Sequence, residues 1–310
     1  MSSPLKSTID HANPIPAPIR LGFRLMPKIS EGLTARAAEH LFCRPRRFQG
    51  KAEERAWLAN AAPFPLRVGK QTLEGYSWGQ GPTVLLVHGW EGRAGQMTPL
   101  VPALCEAGFR VVTWDALGHG DSPGRTSSFV AFVDGIWAAM RAVGDVHGIV
   151  AHSMGAAASG LALHEGLEVR KTVFIAPPYS MEFYADEFAR LLGLSASVHE
   201  RMVRSMERRF AIRLSELSFD NVELPNPDSL LMIHDVEDQE VPFELSERIV
   251  QRWPSVRLLA TRGLGHKRIL RDAQVVRSVT RYLKQDAPIT KADGLVLAPQ
   301  SYGMNRMCPL

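Results

Sequence analysis

The chain has 310 residues, of which 45% are hydrophobic and 22% charged, proportions that are ordinary for a soluble globular protein. Its three cysteines are odd in number and far apart, which excludes a disulfide framework and fits a reducing, cytoplasmic compartment. Every run of about 18 residues has polar interruptions, so no stable membrane insertion is expected. The first residues show no apolar core behind a basic start, so no secretory leader is expected.

The net charge is +4, but it is unevenly distributed. Residues 1–70 contain 12 Lys/Arg and 5 Asp/Glu, a net charge of +7, and the remaining residues carry −3. The basic residues do not alternate with aromatic ones and match no nucleic-acid-binding motif. The sequence therefore predicts no nucleic acid partner, and the basic start of the chain is interpreted as a solvated face.

Residues 1–63 are predicted to be a basic N-terminal extension with one or two helices. Its Pro-rich residues 1–19 are predicted to be disordered or extended. A helix is predicted to open at Ser30 and to stop before Pro45, and a second short helix covers 51–61. Three roles stay open for this extension: packing on the body, homo-oligomer formation, or bordering an active-site entrance.

A different pattern begins at residue 64. A hairpin is predicted over 64–69 and 72–78, followed by short buried strands at 83–88, 110–115, 147–152, 172–176, 230–234 and 256–260. Helices are predicted between them at 95–107, 128–143, 154–166, 242–253 and 267–284. This alternation predicts an α/β fold, a mostly parallel sheet with helices on both faces, built from residues 64–178 and 226–285.

One long insertion interrupts that alternation. More than 50 residues separate the strands at 172–176 and 230–234, far more than a normal connection needs. Residues 179–225 are predicted to be a small helical cap over the carboxyl ends of the strands, where open α/β sheets bind ligands. Most aromatic and methionine residues of this cap are expected to form its own core. Residues 286–310 are interpreted as a C-terminal tail.

Ser153 is the candidate nucleophile. It follows a buried strand and precedes a helix rich in small residues, so its hydroxyl should stand above the sheet edge. Such a turn is crowded and requires small residues two positions before and after the serine, here Ala151 and Gly155. The usual pattern has glycine at both positions, and the extra methyl group of Ala151 is expected to be tolerated.

A nucleophilic serine needs a base, a carboxylate that orients the base, and donors for the oxyanion. His266 is the candidate base, because it lies in a glycine-bracketed loop after the last strand. Asp238, in the loop after the penultimate strand, is the candidate acid, with Asp235 as the second choice. The backbone N–H groups of Trp90 and Met154 are the candidate oxyanion donors. The histidines show no metal-ligand spacing, so neither a metal nor a cofactor is expected.

Five segments, in this order, resemble motifs of the α/β-hydrolase superfamily, in particular its bacterial esterase-like members with a helical cap. They are residues 88–90, 115–122, 151–155, 234–242 and 265–266. The resemblance spans about residues 64–285 and implies the α/β-hydrolase fold. It also implies that the acid follows His234 by four residues, which selects Asp238.

The predicted function is a serine hydrolase that cleaves a small-molecule carboxylic ester or related acyl bond through an acyl-enzyme. A serine nucleophile, rather than aspartate, argues against the dehalogenase and epoxide-hydrolase branches of the superfamily. Two alternatives stay open: an acyltransferase with the same triad, and a non-catalytic binding protein with this fold.

Overall fold

The apolar runs of the sequence form the centre of one mixed sheet in the computed structural model, which describes residues 15–285. The strands are β1 (Ala62–Pro63), β2 (Leu66–Val68), β3 (Gln71–Leu73), β4 (Gly75–Trp78), β5 (Thr83–Val87), β6 (Arg110–Trp114), β7 (Val146–His152), β8 (Lys171–Ile175), β9 (Leu230–Asp235) and β10 (Arg257–Thr261). Eight of them form a sheet in the order β1-β4-β6-β5-β7-β8-β9-β10, and β2 and β3 form a separate hairpin. Strands β5 to β10 run parallel, whereas β1 and β4 are antiparallel to their neighbours. The α/β fold class is confirmed.

The order of the strands creates a crevice at one place on the sheet. After β5 the chain adds β6 on one side and then returns to add β7 on the other side. The loops that follow β5 and β7 therefore diverge above adjacent strands, which is where open α/β sheets bind ligands. The loop after β5 begins at His88, and the turn after β7 contains Ser153.

Side chains of the central strands alternate between two apolar layers, as period-two geometry requires. On β5, Leu85 and Val87 pack into one cluster, and Val84 and Leu86 pack into the other. All four side chains are buried, which explains why the sequence of this strand is a continuous apolar run. Helices cover both layers, and this double coverage fixes the sheet beneath the site.

The helices agree with the predicted ones in position but two of them are interrupted. They are α1 (Ala17–Leu25), α2 (Glu31–Phe42), α3 (Ala52–Ala59), α4 (Ala94–Met97), α5 (Val101–Glu106), α6 (Phe129–Val143), α7 (Met154–His164), α8 (Met181–Leu192), α9 (Ala196–Phe210), α10 (Glu244–Arg252), α11 (Gly265–Arg268) and α12 (Ala273–Lys284). The predicted helix 95–107 is divided, because Pro99 and Pro102 cannot donate a backbone hydrogen bond. The predicted helix 267–284 is divided at Asp272, whose carboxylate caps α12.

The prediction for the N-terminal residues needs correction. Residues 1–14 lie outside the described part of the chain, but α1 begins at Ala17, so residues 17–19 are helical where an extended or disordered segment was expected. Pro18 is compatible with this helix because it occupies the first turn, where the missing N–H has no helical partner. The described part of the extension thus has three helices rather than one or two. The predicted tail 286–310 also lies outside the described residues.

The N-terminal extension contacts both helices α8 and α9 of the long insertion and the loop after β6. Phe23 of α1 and Ala38 of α2 share an apolar cluster with Leu192 and Met202 of helices α8 and α9. Further along, the Arg47 guanidinium donates to three carbonyl groups of the loop after β6, those of Gly118, Ser122 and Gly124. Of the three roles proposed for the extension, packing within the chain is therefore observed, and self-association stays a prediction.

None of the helices within residues 15–285 combines the length and apolar character needed to cross a bilayer. Cys43 and Cys105 are free thiols, and Cys308 lies outside the described residues.

Candidate active site

Ser153 occupies a strained turn between β7 and α7. Its φ of 51° and ψ of −125° place it in the left-handed region, which costs energy for any residue with a side chain. The turn is held by the Ser153 N–H, which donates to the Ile175 carbonyl of β8 at 2.9 Å, and by the Ser153 carbonyl, which accepts from the Ala156 N–H at 2.8 Å. These bonds fix the backbone while the half-buried side chain projects from the carboxyl edge of the sheet.

Small residues surround Ser153 because the backbone approaches closely on both sides. A Cβ placed on Gly155 would lie 2.4 Å from the His88 carbonyl oxygen, and one on Gly89 would lie 2.8 Å from the Ser153 Cβ. Ala151 points into the apolar layer, where it is fully buried, so its methyl group is accommodated. The close approach of the loop after β5 to the serine turn therefore explains why small residues are required at these positions.

Replacing Gly155 with alanine is expected to lower the free energy of unfolding by about 2 kcal/mol, because the opposing His88 carbonyl belongs to the backbone and cannot rotate away. Urea denaturation at neutral pH measures this change. Gly32→Ala on the exposed face of α2 is the matched control, since only the Ser30 Oγ lies within 4 Å, at 3.9 Å. The control should gain about 0.5–1 kcal/mol from reduced chain entropy. Equal stability of the two variants would contradict the close approach.

His266 and Asp238 form a buried hydrogen-bonded pair. The His266 Nδ1 lies 2.7 Å from the Asp238 Oδ2, and because a carboxylate accepts, Nδ1 carries the proton. The other carboxylate oxygen accepts from the backbone N–H groups of Glu240 and Val241 at 2.8 and 2.9 Å. The carboxylate is thereby fixed, and the imidazole is oriented with Nε2 as its lone-pair nitrogen.

His234 orients Asp238 from beneath. Its Nε2 lies 3.0 Å from the Val241 carbonyl and 3.3 Å from the Asp238 Oδ2, so this nitrogen carries the proton, and Ser246 donates to Nδ1 at 2.7 Å. Burial alone would raise the pKa of Asp238, but hydrogen bonds from His234 and His266 outweigh it and hold the pKa well below its ordinary value. The Asp238 side chain is thus a carboxylate throughout the neutral range.

Asp235, the second candidate acid, serves a different purpose. Its Oδ2 accepts from the Thr261 hydroxyl at 2.8 Å and from the Leu264 N–H at 3.0 Å, and its Oδ1 accepts from the Glu237 N–H at 3.0 Å. These bonds join the loop after β9 to the loop that precedes His266. Asp235 therefore supports the loops, whereas Asp238 makes the contact with the imidazole.

His152 connects the serine turn to His266. Its Nε2 donates to the His266 carbonyl at 2.9 Å, and the centroids of the two imidazole rings lie 4.6 Å apart. Burial holds the pKa of His152 well below its usual value, so the ring is a neutral donor. Because His152 directly precedes Ser153, this bond ties the serine turn to the loop that carries His266. No direct hydrogen bond joins the Ser153 Oγ to the His266 imidazole within residues 15–285.

The loop after β5 is the candidate oxyanion loop. His88 fixes its start by donating from Nδ1 to the Gly89 carbonyl at 2.7 Å and accepting the Ala116 N–H on Nε2 at 3.0 Å. Among residues 15–285, no acceptor is bonded to the backbone N–H of Trp90 or to that of Met154. Two backbone donors at the same sheet edge are therefore available to a ligand.

Arg46 of the N-terminal extension anchors the same loop. Its backbone N–H donates to the Glu91 carboxylate at 3.1 Å, and its guanidinium approaches both carboxylate oxygens, the shortest contact being 2.8 Å. Glu91 has a φ of 55°, a conformation that a non-glycine residue adopts at a cost. The paired carboxylate helps to hold this residue, and with it the adjacent Trp90, in position.

The sequence alone assigned no catalytic or supporting role to His152 or His234. Both are buried imidazoles at the last or penultimate position of parallel strands, and that position at the carboxyl edge was the available signal. Within the described residues no group of three or more His, Cys, Asp or Glu side chains is arranged to hold a metal ion.

The sheet, the serine turn and the buried His–Asp pair define the class: this is an α/β-hydrolase fold. The family model described as "Serine aminopeptidase, S33" matches residues 81–274, well over half of the chain. The chain belongs to that hydrolase family. No curated protein matches it significantly.

Several solved structures share the fold. An esterase from Pyrococcus furiosus is 20% identical, with a TM-score of 0.57 over 78% of this chain and 96% of that one. A bromoperoxidase from Bacillus anthracis is 20% identical, with a TM-score of 0.54 over 72% of this chain and 100% of that one. A meta-cleavage product hydrolase from Pseudomonas fluorescens is 21% identical, with a TM-score of 0.54 over 71% and 96%. At these identities the likeness concerns the fold.

Proposed function

We propose that this protein is a serine hydrolase that cleaves a small-molecule carboxylic ester through Ser153, His266 and Asp238. The observation that carries the proposal is the 2.7 Å bond between the His266 Nδ1 and the Asp238 Oδ2, at the sheet edge where Ser153 occupies its strained turn. A buried carboxylate that fixes an imidazole tautomer, at the same sheet edge as a strained serine, supports nucleophilic catalysis by that serine.

The steps follow from the positions of the protons. The Ser153 Oγ attacks the ester carbonyl carbon, and the hydroxyl proton passes to the His266 Nε2. The N–H groups of Trp90 and Met154 bind the resulting oxyanion. When the tetrahedral intermediate collapses, the bond to the leaving alcohol breaks and the alcohol takes the proton from His266. Water then attacks the acyl-enzyme with His266 again as base, which releases the carboxylic acid and restores the serine.

The charges near His266 favour a neutral ester over an N-terminal peptide. An aminopeptidase needs a free carboxylate to bind the substrate ammonium group. In the loop after β9, however, Glu237 pairs with Arg262 at 3.1 Å and Glu240 pairs with Lys267 at 2.8 Å. Asp238 is bonded to His266 as described. The carboxylates of this loop already have partners, which supports an ester rather than an N-terminal peptide as the substrate.

A fluorophosphonate probe tests the nucleophile without knowledge of the natural substrate. Wild-type protein should be labelled at one serine, identified as Ser153 by peptide mass spectrometry, and Ser153→Ala should not be labelled. Ser159→Ala is the matched control, because Ser159 is a buried serine of the same helix whose Oγ donates to the Gly155 carbonyl. It should be labelled as the wild type is. Labelling that persists in Ser153→Ala would refute the proposed nucleophile.

Turnover assays then separate the substrate classes. The wild type should hydrolyse p-nitrophenyl butyrate and should leave leucine p-nitroanilide, an aminopeptidase substrate, essentially uncleaved. Faster cleavage of the anilide than of the ester would contradict the ester assignment while leaving the triad intact. Adding a small alcohol as a second acceptor distinguishes hydrolysis from acyl transfer, because a transferase would form the new ester in place of the acid.

A further inference from the structure

Tyr184 lies above the carboxyl edge of the sheet, one turn into α8. This helix begins shortly after β8, whose neighbours β7 and β9 lead to Ser153 and to the acid loop. Unlike Leu192 and Met202, Tyr184 does not join the apolar cluster of the cap. Its ring packs at the margin of the central cluster, as do the side chains of Trp90 and Met154. The carboxylates of Asp238 and Glu240 act on the Tyr184 phenol, so this side chain lies within electrostatic reach of the acid loop.

The hydroxyl of Tyr184 is buried and has no hydrogen-bond partner among residues 15–285. Burial raises the pKa of this phenol, and the nearby carboxylates of Asp238 and Glu240 raise it further. The hydroxyl therefore keeps its proton at every physiological pH. A buried hydroxyl without a partner is unusual in a folded protein. Because the Tyr184 hydroxyl, unlike that of Tyr282, feels the carboxylates of Asp238 and Glu240, a molecule bound at the candidate active site can supply its acceptor.

We propose that the Tyr184 hydroxyl is a substrate-binding group, which donates a hydrogen bond to an uncharged oxygen of the bound ester. The inference rests on the proposed function and deepens it by naming a contact from the cap. An uncharged oxygen fits better than an anionic one, because Asp238 and Glu240 disfavour a further negative charge nearby. The acceptor is either an oxygen of the ester group or an ether or hydroxyl oxygen in the acyl chain.

Tyr184→Phe removes the hydroxyl and keeps the ring, and Tyr282→Phe is its matched control. Tyr282 in α12 also has a buried hydroxyl without a partner among the described residues. Its ring lies against Lys171, with the ammonium nitrogen 5.1 Å from the ring centroid, at the start of β8 and thus at the opposite end of that strand from the candidate active site. Both changes delete one unpaired phenol oxygen, so they differ in location and not in chemistry.

The probes are p-nitrophenyl butyrate and p-nitrophenyl methoxyacetate, which differ by one ether oxygen in place of a methylene group. Tyr184→Phe should lower kcat/KM about tenfold, the usual effect of losing one neutral hydrogen bond. A loss on both esters assigns the acceptor to the ester group, and a loss confined to the methoxyacetate assigns it to the acyl chain. Either result supports the inference, provided that Tyr282→Phe stays within twofold of the wild type.

Thermal unfolding distinguishes binding from structure. Tyr184→Phe should melt at the wild-type temperature or above it, since no protein partner is lost. Retained kcat/KM within twofold on both esters would overturn the inference while leaving the proposed function in place. A loss of activity together with a fall in Tm would assign the hydroxyl to folding and would also overturn it. A wild-type protein inert toward both esters and toward the fluorophosphonate would refute the proposed function itself.

Discussion

Replacing His266 with alanine is expected to lower kcat for p-nitrophenyl butyrate by about 10⁶-fold, as loss of the base does in other serine hydrolases. Asp238→Asn should cost less, about 10⁴-fold, because the base remains but its tautomer is no longer fixed. The Asp238 Oδ2 accepts a hydrogen bond from the His266 Nδ1, and the Oδ1 accepts from two backbone N–H groups. In the asparagine variant the side-chain oxygen is kept by those N–H groups, so the amide nitrogen faces the imidazole and cannot accept its hydrogen bond. Steady-state kinetics with active-site titration measure both changes.

Asp235→Asn is the matched control, since it removes a buried carboxylate from the same loop. Its partners are Thr261, Leu264 and Glu237, none of which is a proposed catalytic group. The variant is therefore expected to retain most of its activity and to lose some stability. If Asp238→Asn were neutral and Asp235→Asn inactive, the acid assignment would be wrong. Unaltered secondary structure by circular dichroism shows that each variant is folded.

The sheet could be predicted from sequence because its central strands are buried on both faces. On β5 the sequence is an uninterrupted apolar run, with Leu85 and Val87 on one face of the sheet and Val84 and Leu86 on the other. Such a run is typical of a parallel strand that is covered by helices on both faces. Helix α1 could not be predicted in the same way. Its stability depends on a distant contact, that of Phe23 with helices α8 and α9. The closely spaced prolines at positions 14, 16 and 18 suggest an extended chain when they are read alone.

The candidate site was predictable where its geometry is local. The serine turn requires small residues at fixed spacing, and the acid and base follow the strands whose carboxyl ends meet at one edge. The supporting bonds were not predictable, since the His152 Nε2 donates to the carbonyl of His266, 114 positions away in the chain. Sequence also could not show that Arg46 anchors the loop of Trp90. Pairings of this kind appear when the fold brings distant segments together.

The buried histidines around the site predict a strong dependence of stability on pH. Burial lowers the pKa of His88 to about 3 and that of His119 to about 4, and it holds the pKa of His152 well below its usual value. In the unfolded chain each histidine titrates near about 6.5. Between that pH and about 4, the unfolded chain binds protons that the folded protein does not, so stability decreases as the pH falls.

Each of these three histidines should lower the free energy of unfolding by about 2 kcal/mol at pH 5 relative to pH 7.5. Together they lower it by roughly 6 kcal/mol, a large share of the stability of a typical domain. The buried carboxyl of Asp115, whose pKa is raised mainly by burial, titrates in the opposite sense and offsets part of this loss. Urea unfolding at pH 7.5, 6 and 5 measures the slope. The slope of the free energy of unfolding against pH gives the number of protons taken up on unfolding. His119→Asn should reduce this number by about one, whereas His40→Asn, at an exposed position of α2, is the control that should keep the wild-type slope. A free energy of unfolding that changes by less than about 1 kcal/mol over this range would mean that the imidazoles become protonated within the fold.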